Sequence, residues 1–170
     1  MRAFPIGALL AIFFALTVSI ASADVVMVRH AEKASGENPS LTECGRARAR
    51  NLANLLDDFN FSKVLSTDYR RTRQTAEEIV KRMDVPIEIY LASDLSSLAE
   101  RLNMKVAQDV LVVGHSNTTP ELAELLTGES LEWFDHDDYD QILIVRSDGT
   151  LERRRQFFRC PALVDGSADE

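Results

Sequence analysis

Two of the chain's three histidines directly follow runs of apolar residues that are typical of buried strands. Arg29 and His30 come after the run 25–28, and His115 comes after the run 110–113 and one glycine. A neutral imidazole can attack phosphorus and carry a phosphoryl group, and a guanidinium presents a fixed fork of donors to phosphate oxygens. These residue types therefore indicate chemistry on a phosphate group, and they require neither a metal ion nor another cofactor.

A third polar segment, residues 66–76, adds arginines after a further apolar run. Its three arginines, Arg70, Arg71 and Arg73, are candidates to face a phosphate or to lie on a solvated helix surface. If the segments meet, they form a cationic pocket in a chain whose formal net charge is −8. A local positive site in an acidic protein favours a specific anion, and the acidic balance argues against nucleic acid as a partner.

The rest of the chain alternates between strand and helix patterns. Continuous apolar runs predict buried strands, and apolar residues at helical spacing predict the helices between them. Near the C-terminus, two strand patterns flank Ser147, Asp148 and Gly149, which is typical of a hairpin with an Asp-Gly turn. We expect strands at 24–28, 63–66, 86–90, 109–113, 139–145 and 150–158. We expect helices at 42–57, at 68–83, around 95–102 and from Thr119 onward. Ser40 and Glu43 have the spacing of a capping box before the first helix.

Repeated strand–helix units predict an α/β fold. The expected architecture is a three-layer α/β/α sandwich whose central sheet is mostly parallel, with an antiparallel C-terminal edge hairpin. In such sheets, ligands bind beyond the carboxyl ends of the strands. The two histidines and the arginines all follow strands, so the fold predicts that they share one site at that edge.

Residues 1–23 have the features of a cleaved secretory signal peptide. A basic residue precedes the apolar run from Ile6 to Val18, and Ala21-Ser22-Ala23 has the small residues that signal peptidase recognises. The run is shorter than the roughly 20 residues of a bilayer span, and an uncleaved anchor is the alternative. We expect cleavage between Ala23 and Asp24, a periplasmic or secreted bacterial protein, and no stable membrane insertion afterwards.

After the signal peptide, we expect one domain over residues 24–164 and a flexible acidic tail over residues 165–170. An exported protein meets an oxidising compartment, in which Cys44 and Cys160 could form a disulfide. Two buried thiols are the alternative, because the distance between these residues in space does not follow from the sequence.

The polar segments resemble, in order, three motifs of the histidine phosphatase superfamily (phosphoglycerate mutase-like), and in particular its small bacterial members. The first motif is Arg29-His30-Ala31-Glu32-Lys33, the second runs from Thr67 to Ala76, and the third runs from Val112 to Thr118. The resemblance covers nearly all of the chain that follows the signal peptide.

The resemblance implies a role for each of the residues that first suggested phosphate chemistry. His30 would be the phosphorylated nucleophile, and Arg29, Arg71 and His115 would bind the phosphate group and stabilise transition-state charge. His115 would thus act in binding and in catalysis. Because these groups supply the positive charge, we expect no metal ion at the site.

The sequence offers several candidates for the acid that protonates the leaving oxygen. Asp94 is the nearest counterpart of an acidic residue that part of the family places after the second arginine, although its position favours a helix N-cap. Glu32 and Glu121 are further candidates. Lys33 could reach the phosphate or pair with Glu32, and Asn117 could donate to the pocket or cap the helix that follows it.

These features together favour an exported phosphomonoester hydrolase with a phosphohistidine intermediate on His30 and no metal requirement. The short stretch between Arg71 and His115 predicts a shallow pocket, which suits a phosphorylated small ester, envelope glycan or protein. A protein phosphohistidine phosphatase of the small bacterial type and a non-catalytic phosphoglycan-binding module are the alternatives. Four further residues could form a wall of the site or belong to the core: Trp133, Phe134, His136 and Tyr139.

Overall fold

The computed structural model describes residues 23–103 and 108–161. The expected signal peptide, apart from Ala23, and the expected acidic tail at 165–170 lie outside the described residues. Within those two ranges, no helix is long and apolar enough to cross a membrane.

Strands and helices alternate along the described chain, as the sequence patterns predict. The strands are β1 Val25–Arg29, β2 Phe61–Ser66, β3 Ile87–Ile89, β4 Asp109–Gly114, β5 Gln141–Val145 and β6 Leu151–Arg155. The helices are α1 Glu43–Leu55, α2 Arg70–Met83, α3 Leu95–Asn103 and α4 Thr118–Thr127.

The strands form one mixed sheet in the order β3-β2-β4-β1-β5-β6. β3, β2, β4 and β1 pair in parallel, whereas β5 pairs antiparallel with β1 and β6 pairs antiparallel with β5. This arrangement confirms the expected α/β fold with an antiparallel C-terminal edge hairpin. It also makes β2, β4 and β1 neighbours, so their carboxyl ends lie side by side.

The helices cover both faces of the sheet and give the expected three layers. Along β1, Val26 and Val28 pack into one core cluster with residues of α1 and α2, whereas Val25 and Met27 pack into the opposite cluster with residues of α3 and α4. Because both faces of β1 are covered, every position of the strand is buried, which explains its unbroken apolar sequence.

The start of α1 differs from the expected capping box. Ser40 does not cap the helix, because its carbonyl accepts a hydrogen bond from Ala34 and the chain stays extended up to Leu41, which pairs with Lys33. Thr42 is the N-cap, and its hydroxyl accepts from the amide of Gly45 at 3.0 Å. The prediction missed this because the extended pairing of residues 33 and 41 is a tertiary contact.

Several other element ends also shift from their expected positions. α2 begins at Arg70 rather than at residue 68, and α4 begins at Thr118, one residue before the expected cap. β6 ends at Arg155, so the chain beyond it is not part of the sheet. These differences leave the order and the type of every element unchanged.

The first turn of α1 packs directly against the loop that follows β1. The carbonyl of Glu32 accepts from the amide of Thr42 at 2.9 Å, and a Cβ added at Gly45 would lie 2.1 Å from that carbonyl oxygen. Only glycine allows the helix to approach so closely. The contact fixes the backbone two residues after His30.

A disulfide between Cys44 and Cys160 closes a sequence separation of 116 residues, with the two Cα atoms 5.1 Å apart. It ties residues 156–160, which we call the C-terminal strap, to α1. The side chain of Gln156 adds hydrogen bonds to the carbonyl of Arg48 at 2.9 Å and to the amide oxygen of Asn51 at 2.8 Å. The structure therefore selects the disulfide over the two free thiols.

We expect the double variant Cys44→Ser/Cys160→Ser to fold and to lose roughly 2–5 kcal/mol of unfolding free energy, because a long loop is no longer closed in the unfolded chain. Equilibrium urea denaturation of the oxidised wild type and of the variant measures the difference. Dithiothreitol should lower the wild-type midpoint and leave that of the variant unchanged. Equal midpoints for the oxidised wild type and the variant would show that the link does not stabilise the domain.

Candidate active site

The carboxyl ends of β1, β2 and β4 bring the expected site residues together. His30 follows β1 and His115 follows β4, and their ring centroids lie 5.5 Å apart. Arg71 is in the first turn of α2, where its Nη2 lies 3.4 Å from Nδ1 of His115. Arg29 is the last residue of β1. The four residues thus share one edge of the sheet, as the strand-end argument predicts.

His30 is buried, and its ring is oriented by the backbone. Its Nδ1 lies 2.8 Å from the carbonyl oxygen of Ala31, and a carbonyl can only accept, so Nδ1 carries the proton and Nε2 keeps its lone pair. Burial is the main cause that lowers the pKa of His30 to about 3, and the charges of Arg29 and Arg71 act in the same direction. His30 is therefore neutral at ordinary pH, with Nε2 available as a nucleophile.

The peptide that orients His30 is itself held by α2. The amide of Ala31 donates to the hydroxyl of Thr75 at 3.0 Å, and that hydroxyl donates to the carbonyl of Arg71 at 2.8 Å. The first turns of α2 therefore position the nucleophile as well as Arg71.

Arg29 is held by backbone carbonyls and an aromatic ring. Its Nη1 donates to the carbonyls of Asp135 at 2.8 Å and of Asp138 at 3.1 Å, and its guanidinium lies over the ring of Tyr139 at 4.1 Å. Burial lowers the pKa of Arg29, but an arginine remains charged in proteins. These contacts position the cation without an ion pair.

Arg71 has a similar arrangement on the other side of the histidines. Its guanidinium lies over the ring of Tyr69 at 4.2 Å, and this ring also meets the ring of His115 edge-on at 5.3 Å. Within the described residues, the buried Nε of Arg71 has no hydrogen-bond acceptor. An oxyanion bound between Arg71 and His115 would supply one.

His115 is also neutral before any ligand binds. Burial, together with the charges of Arg71 and Arg29, lowers its pKa to about 4. A bound phosphate dianion would offset those charges and favour protonation of His115. The imidazole of His115 can therefore become protonated when phosphate binds.

The remaining candidates from the sequence lie outside this cluster of contacts. The side chain of Asp94 is exposed and accepts from the amide of Ser97 at 3.3 Å, so it caps the start of α3. Lys33 is exposed, and Glu32 pairs with Arg48 instead of with Lys33. Asn117 occupies the N-cap position of α4, although its side chain makes no capping hydrogen bond.

Of the four residues considered as a wall, Tyr139 lies at the site, with its ring centroid 6.1 Å from that of His30. Phe134 packs against the core, whereas Trp133 and His136 are exposed. Beyond Tyr139, an open cleft of about 860 Å³ runs between the loop at 135–140 and the C-terminal strap. Neither catalytic histidine candidate lines this cleft, so it extends away from the phosphate-binding groups.

In the described part of the chain, the only cluster of three or more potential metal ligands is Glu32 with Cys44 and Cys160. The two sulfur atoms of this cluster are bonded to each other in the disulfide. The cluster is therefore not arranged as a metal site in this form of the protein.

Residues 25–91 match the model of the histidine phosphatase superfamily, branch 1. Over this range, the chain is similar to the superfamily. The matched region contains Arg29, His30 and Arg71, whereas His115 lies beyond it and reaches the site through the fold. The match over residues 25–91 supports a phosphatase. No curated protein sequence matches the chain significantly.

Solved structures with the same fold include two phosphatases and a mutase. The protein histidine phosphatase SixA, solved with tungstate, has a TM-score of 0.64 at 22% identity over 77% of this chain and 94% of that chain. A mycobacterial glucosyl-3-phosphoglycerate phosphatase has a TM-score of 0.55 at 14% identity, over 82% and 100% respectively. Phosphoglycerate mutase from Plasmodium falciparum has a TM-score of 0.57 at 18% identity, over 84% and 96%. At these identities, the likeness concerns the fold.

Sequence reasoning gave no role to three residues that shape this site. Tyr69 stacks on Arg71, Thr75 holds the peptide after His30, and Thr67 contacts Nε2 of His115 at 3.0 Å. All three lie in the motif from Thr67 to Ala76. Their position beside the arginines was the available signal, but a hydroxyl in a helix more often bonds to its own helix.

The two histidines should make the stability of this protein depend on pH. Their pKa values of about 3 and about 4 lie below the value of roughly 6.5 in an unfolded chain, so the unfolded state binds more protons in between. Their contribution to stability is fully present above pH 6.5 and is lost as the pH falls toward the folded values.

Urea denaturation at pH 7.5 and pH 5 checks this for the wild type, His30→Gln and His115→Gln. We expect each glutamine variant to lose less stability between the two pH values than the wild type does. His136→Gln is the matched control, because the side chain of His136 is 87% exposed, and it should behave as the wild type. An unchanged pH dependence in the first two variants would mean that the buried rings are not neutral.

Proposed function

We propose that the protein is an exported phosphomonoester hydrolase that works through a phosphohistidine intermediate on His30 and needs no metal ion. One observation carries the proposal: Nε2 of a neutral, buried His30 keeps its lone pair beside the guanidinium groups of Arg29 and Arg71 and the ring of His115. The arginines supply the positive charge that a metal ion would otherwise bring to the phosphate.

In the first step, Arg29, Arg71 and His115 hold the phosphate oxygens while Nε2 of His30 attacks phosphorus. The bond from Nε2 to phosphorus forms as the bond from phosphorus to the leaving oxygen breaks. The leaving oxygen departs with the bonding electron pair and takes up a proton. The same three groups stabilise the charge that spreads over the equatorial oxygens in the transition state.

In the second step, a water molecule attacks the phosphorus atom of phosphohistidine. The bond to Nε2 breaks, inorganic phosphate leaves, and one proton of the water is released. The hydrogen bond from Nδ1 of His30 to the carbonyl of Ala31 keeps the ring in place through both steps. His30 then regains its lone pair for another cycle.

The surroundings of the histidines favour substrates whose leaving group needs little protonation. Among the described residues, no carboxylate is hydrogen-bonded to His30 or His115, and Asp94 is engaged at the start of α3. Glu32 is held in its ion pair with Arg48 at 2.6 Å, which withholds it from the site. A general acid of the usual carboxylic type is thus not in position before substrate binds.

The same observation favours a second candidate, a protein phosphohistidine phosphatase. The leaving group of that reaction is an imidazole, whose bond to phosphorus breaks more readily than that of an alkyl ester. The protein histidine phosphatase SixA is among the structures that share the fold.

Two features support export. The Cys44–Cys160 disulfide suits an oxidising compartment. In addition, the backbone nitrogen of Asp24 donates to the carboxylate of Asp109 at 2.8 Å, so cleavage before Asp24 would place the new ammonium group beside that carboxylate. Mass spectrometry of the exported protein should give Asp24 as the first residue, and an intact Met1 in that fraction would contradict export with cleavage.

We expect His30→Ala to lose several orders of magnitude in turnover, because binding alone does not replace a nucleophile. In a rapid-quench experiment with phosphate-labelled substrate, label should remain on the wild-type protein in alkali, be released in mild acid, and be absent from His30→Ala. Excess EDTA should leave turnover unchanged. Arg73→Ala is the control, since Arg73 pairs with Asp68 on the surface.

Label that survives acid and is lost in alkali would identify an acyl phosphate and a carboxylate nucleophile in place of His30. Activity that EDTA removes and added Mg²⁺ or Zn²⁺ restores would contradict the metal-independent mechanism. Either result would replace the proposal with a different chemistry.

A panel of one aryl phosphate, one phosphorylated sugar and one phosphohistidine peptide separates the two candidates. A general phosphomonoesterase should release phosphate from the first two compounds, whereas a phosphohistidine phosphatase should prefer the peptide by a large factor in kcat/KM. The preferred class then indicates which leaving group the site is built to release.

A further inference from the structure

We infer that Thr67 is a positioning residue that keeps the proton of His115 on Nε2. Nδ1 of His115 is thereby left unprotonated on the side of the phosphate site. The inference deepens the proposed function and rests on it for its catalytic meaning. It is carried by a chain of three hydrogen-bonding groups at the end of β2: Thr72, Thr67 and the ring of His115.

The chain of proton positions starts at Thr72. Its hydroxyl oxygen lies 2.9 Å from the carbonyl oxygens of both Thr67 and Tyr69. Carbonyl oxygens can only accept, so the single hydroxyl proton of Thr72 must point toward them. The Thr72 hydroxyl therefore has no proton left to donate to the hydroxyl of Thr67, which lies 3.0 Å away.

It follows that Thr67 is the donor in its contact with Thr72. Its only hydroxyl proton is used there, so Thr67 can offer His115 only a lone pair. Nε2 of His115 lies 3.0 Å from this oxygen and must carry the hydrogen for the contact to be a hydrogen bond. Both hydroxyl groups belong to buried residues, with 1% of Thr67 and 0% of Thr72 exposed, which limits competition from water.

A second, independent contact fixes the other nitrogen of the same ring. Nη2 of Arg71 lies 3.4 Å from Nδ1 of His115, and a guanidinium only donates. Nδ1 must therefore present its lone pair to Arg71. The backbone of His115 is also fixed, because its amide donates to the hydroxyl of Thr118 at 3.0 Å.

The two active-site histidines therefore have opposite tautomers. His30 carries its proton on Nδ1, which bonds to the carbonyl of Ala31, and His115 carries its proton on Nε2, which bonds to Thr67. Each ring keeps one bare nitrogen at the site. For His115, that nitrogen is the atom that gains a proton when a phosphate dianion binds, while Thr67 keeps the opposite side of the ring in place.

The tautomer is measurable by nitrogen NMR of protein labelled with ¹⁵N-histidine. The three histidines are assigned with His136→Gln and His30→Gln. In the wild type, we expect His115 to show a protonated Nε2 and His30 to show a protonated Nδ1. Thr67→Ser keeps the hydroxyl and should retain the wild-type pattern. Thr67→Val should populate the tautomer of His115 that carries the proton on Nδ1.

Thr72→Val is a second variant, because it leaves the Thr67 hydroxyl in place and removes the acceptor for its proton, together with the hydrogen bonds from Thr72 to the carbonyls of Thr67 and Tyr69. Thr67 is then free to donate to Nε2, and we expect the proton of His115 to shift toward Nδ1. Thr127→Val is the matched control, since Thr127 bonds to its own helix at the carbonyl of Ala123. Far-UV circular dichroism of each variant shows whether it is folded.

The functional readouts are the binding of inorganic phosphate and the pH profile of kcat/KM. In Thr67→Val, we expect both phosphate affinity and kcat/KM to fall ~10-fold, which corresponds to the loss of one hydrogen bond. We also expect a shift in the part of the pH profile of kcat/KM that reports the protonation of His115. Thr67→Ser should restore both quantities to within a small factor. A purely structural role for Thr67 would change stability and leave the tautomer and the pH limb as they are.

The tautomer measurement needs no turnover, so the two proposals fail separately. A wild-type His115 with its proton on Nδ1, or a Thr67→Val variant with unchanged tautomer and unchanged phosphate affinity, would overturn the positioning role. The expected NMR pattern without any phosphatase activity would instead overturn the proposed function. If Thr67→Val does not fold, Thr72→Val decides the question by the same measurements.

Discussion

The site depends on holding two guanidinium groups in place without neutralising them. Within the described residues, neither Arg29 nor Arg71 forms an ion pair; carbonyl oxygens and the faces of Tyr139 and Tyr69 hold them instead. A cation over an aromatic ring is stabilised by about 0.5–2 kcal/mol, and the ring carries no net charge. A carboxylate in the same position would bind the arginine more tightly and cancel the charge that a phosphate needs. Burial is the main reason that the two histidines remain neutral, and the charges of Arg29 and Arg71 act in the same direction.

The sequence was sufficient for the architecture and for the main site residues because both follow from local patterns. The apolar run 25–28 and the run 110–113 predict strands buried on both faces, and strand ends at one sheet edge predict that His30 and His115 meet. The role of Arg71 was implied by the resemblance of the second motif to the family pattern. These are properties of single segments, or of the general geometry of parallel sheets.

Other features depend on contacts between distant segments and could not be predicted in this way. The capping box at Ser40 fails because Leu41 pairs with Lys33 across a loop. Whether Cys44 and Cys160 pair depends on the path of the chain after β6, which no periodicity reveals. The stacking of Tyr139 on Arg29 joins residues 110 positions apart, so the tyrosine looked equally suited to the core.

The C-terminal strap has a consequence for where this domain ends. A chain shortened after Arg155 would retain every strand and helix of the described fold, yet it would lose the buried side chain of Gln156 and the cross-link through Cys160. The first turn of α1, which packs on the carbonyl of Glu32 beside the nucleophile, would then lose its covalent tether. The smallest fragment that keeps the cross-link therefore extends to Cys160, five residues after the last strand. Truncated variants of this domain should end no earlier than residue 160.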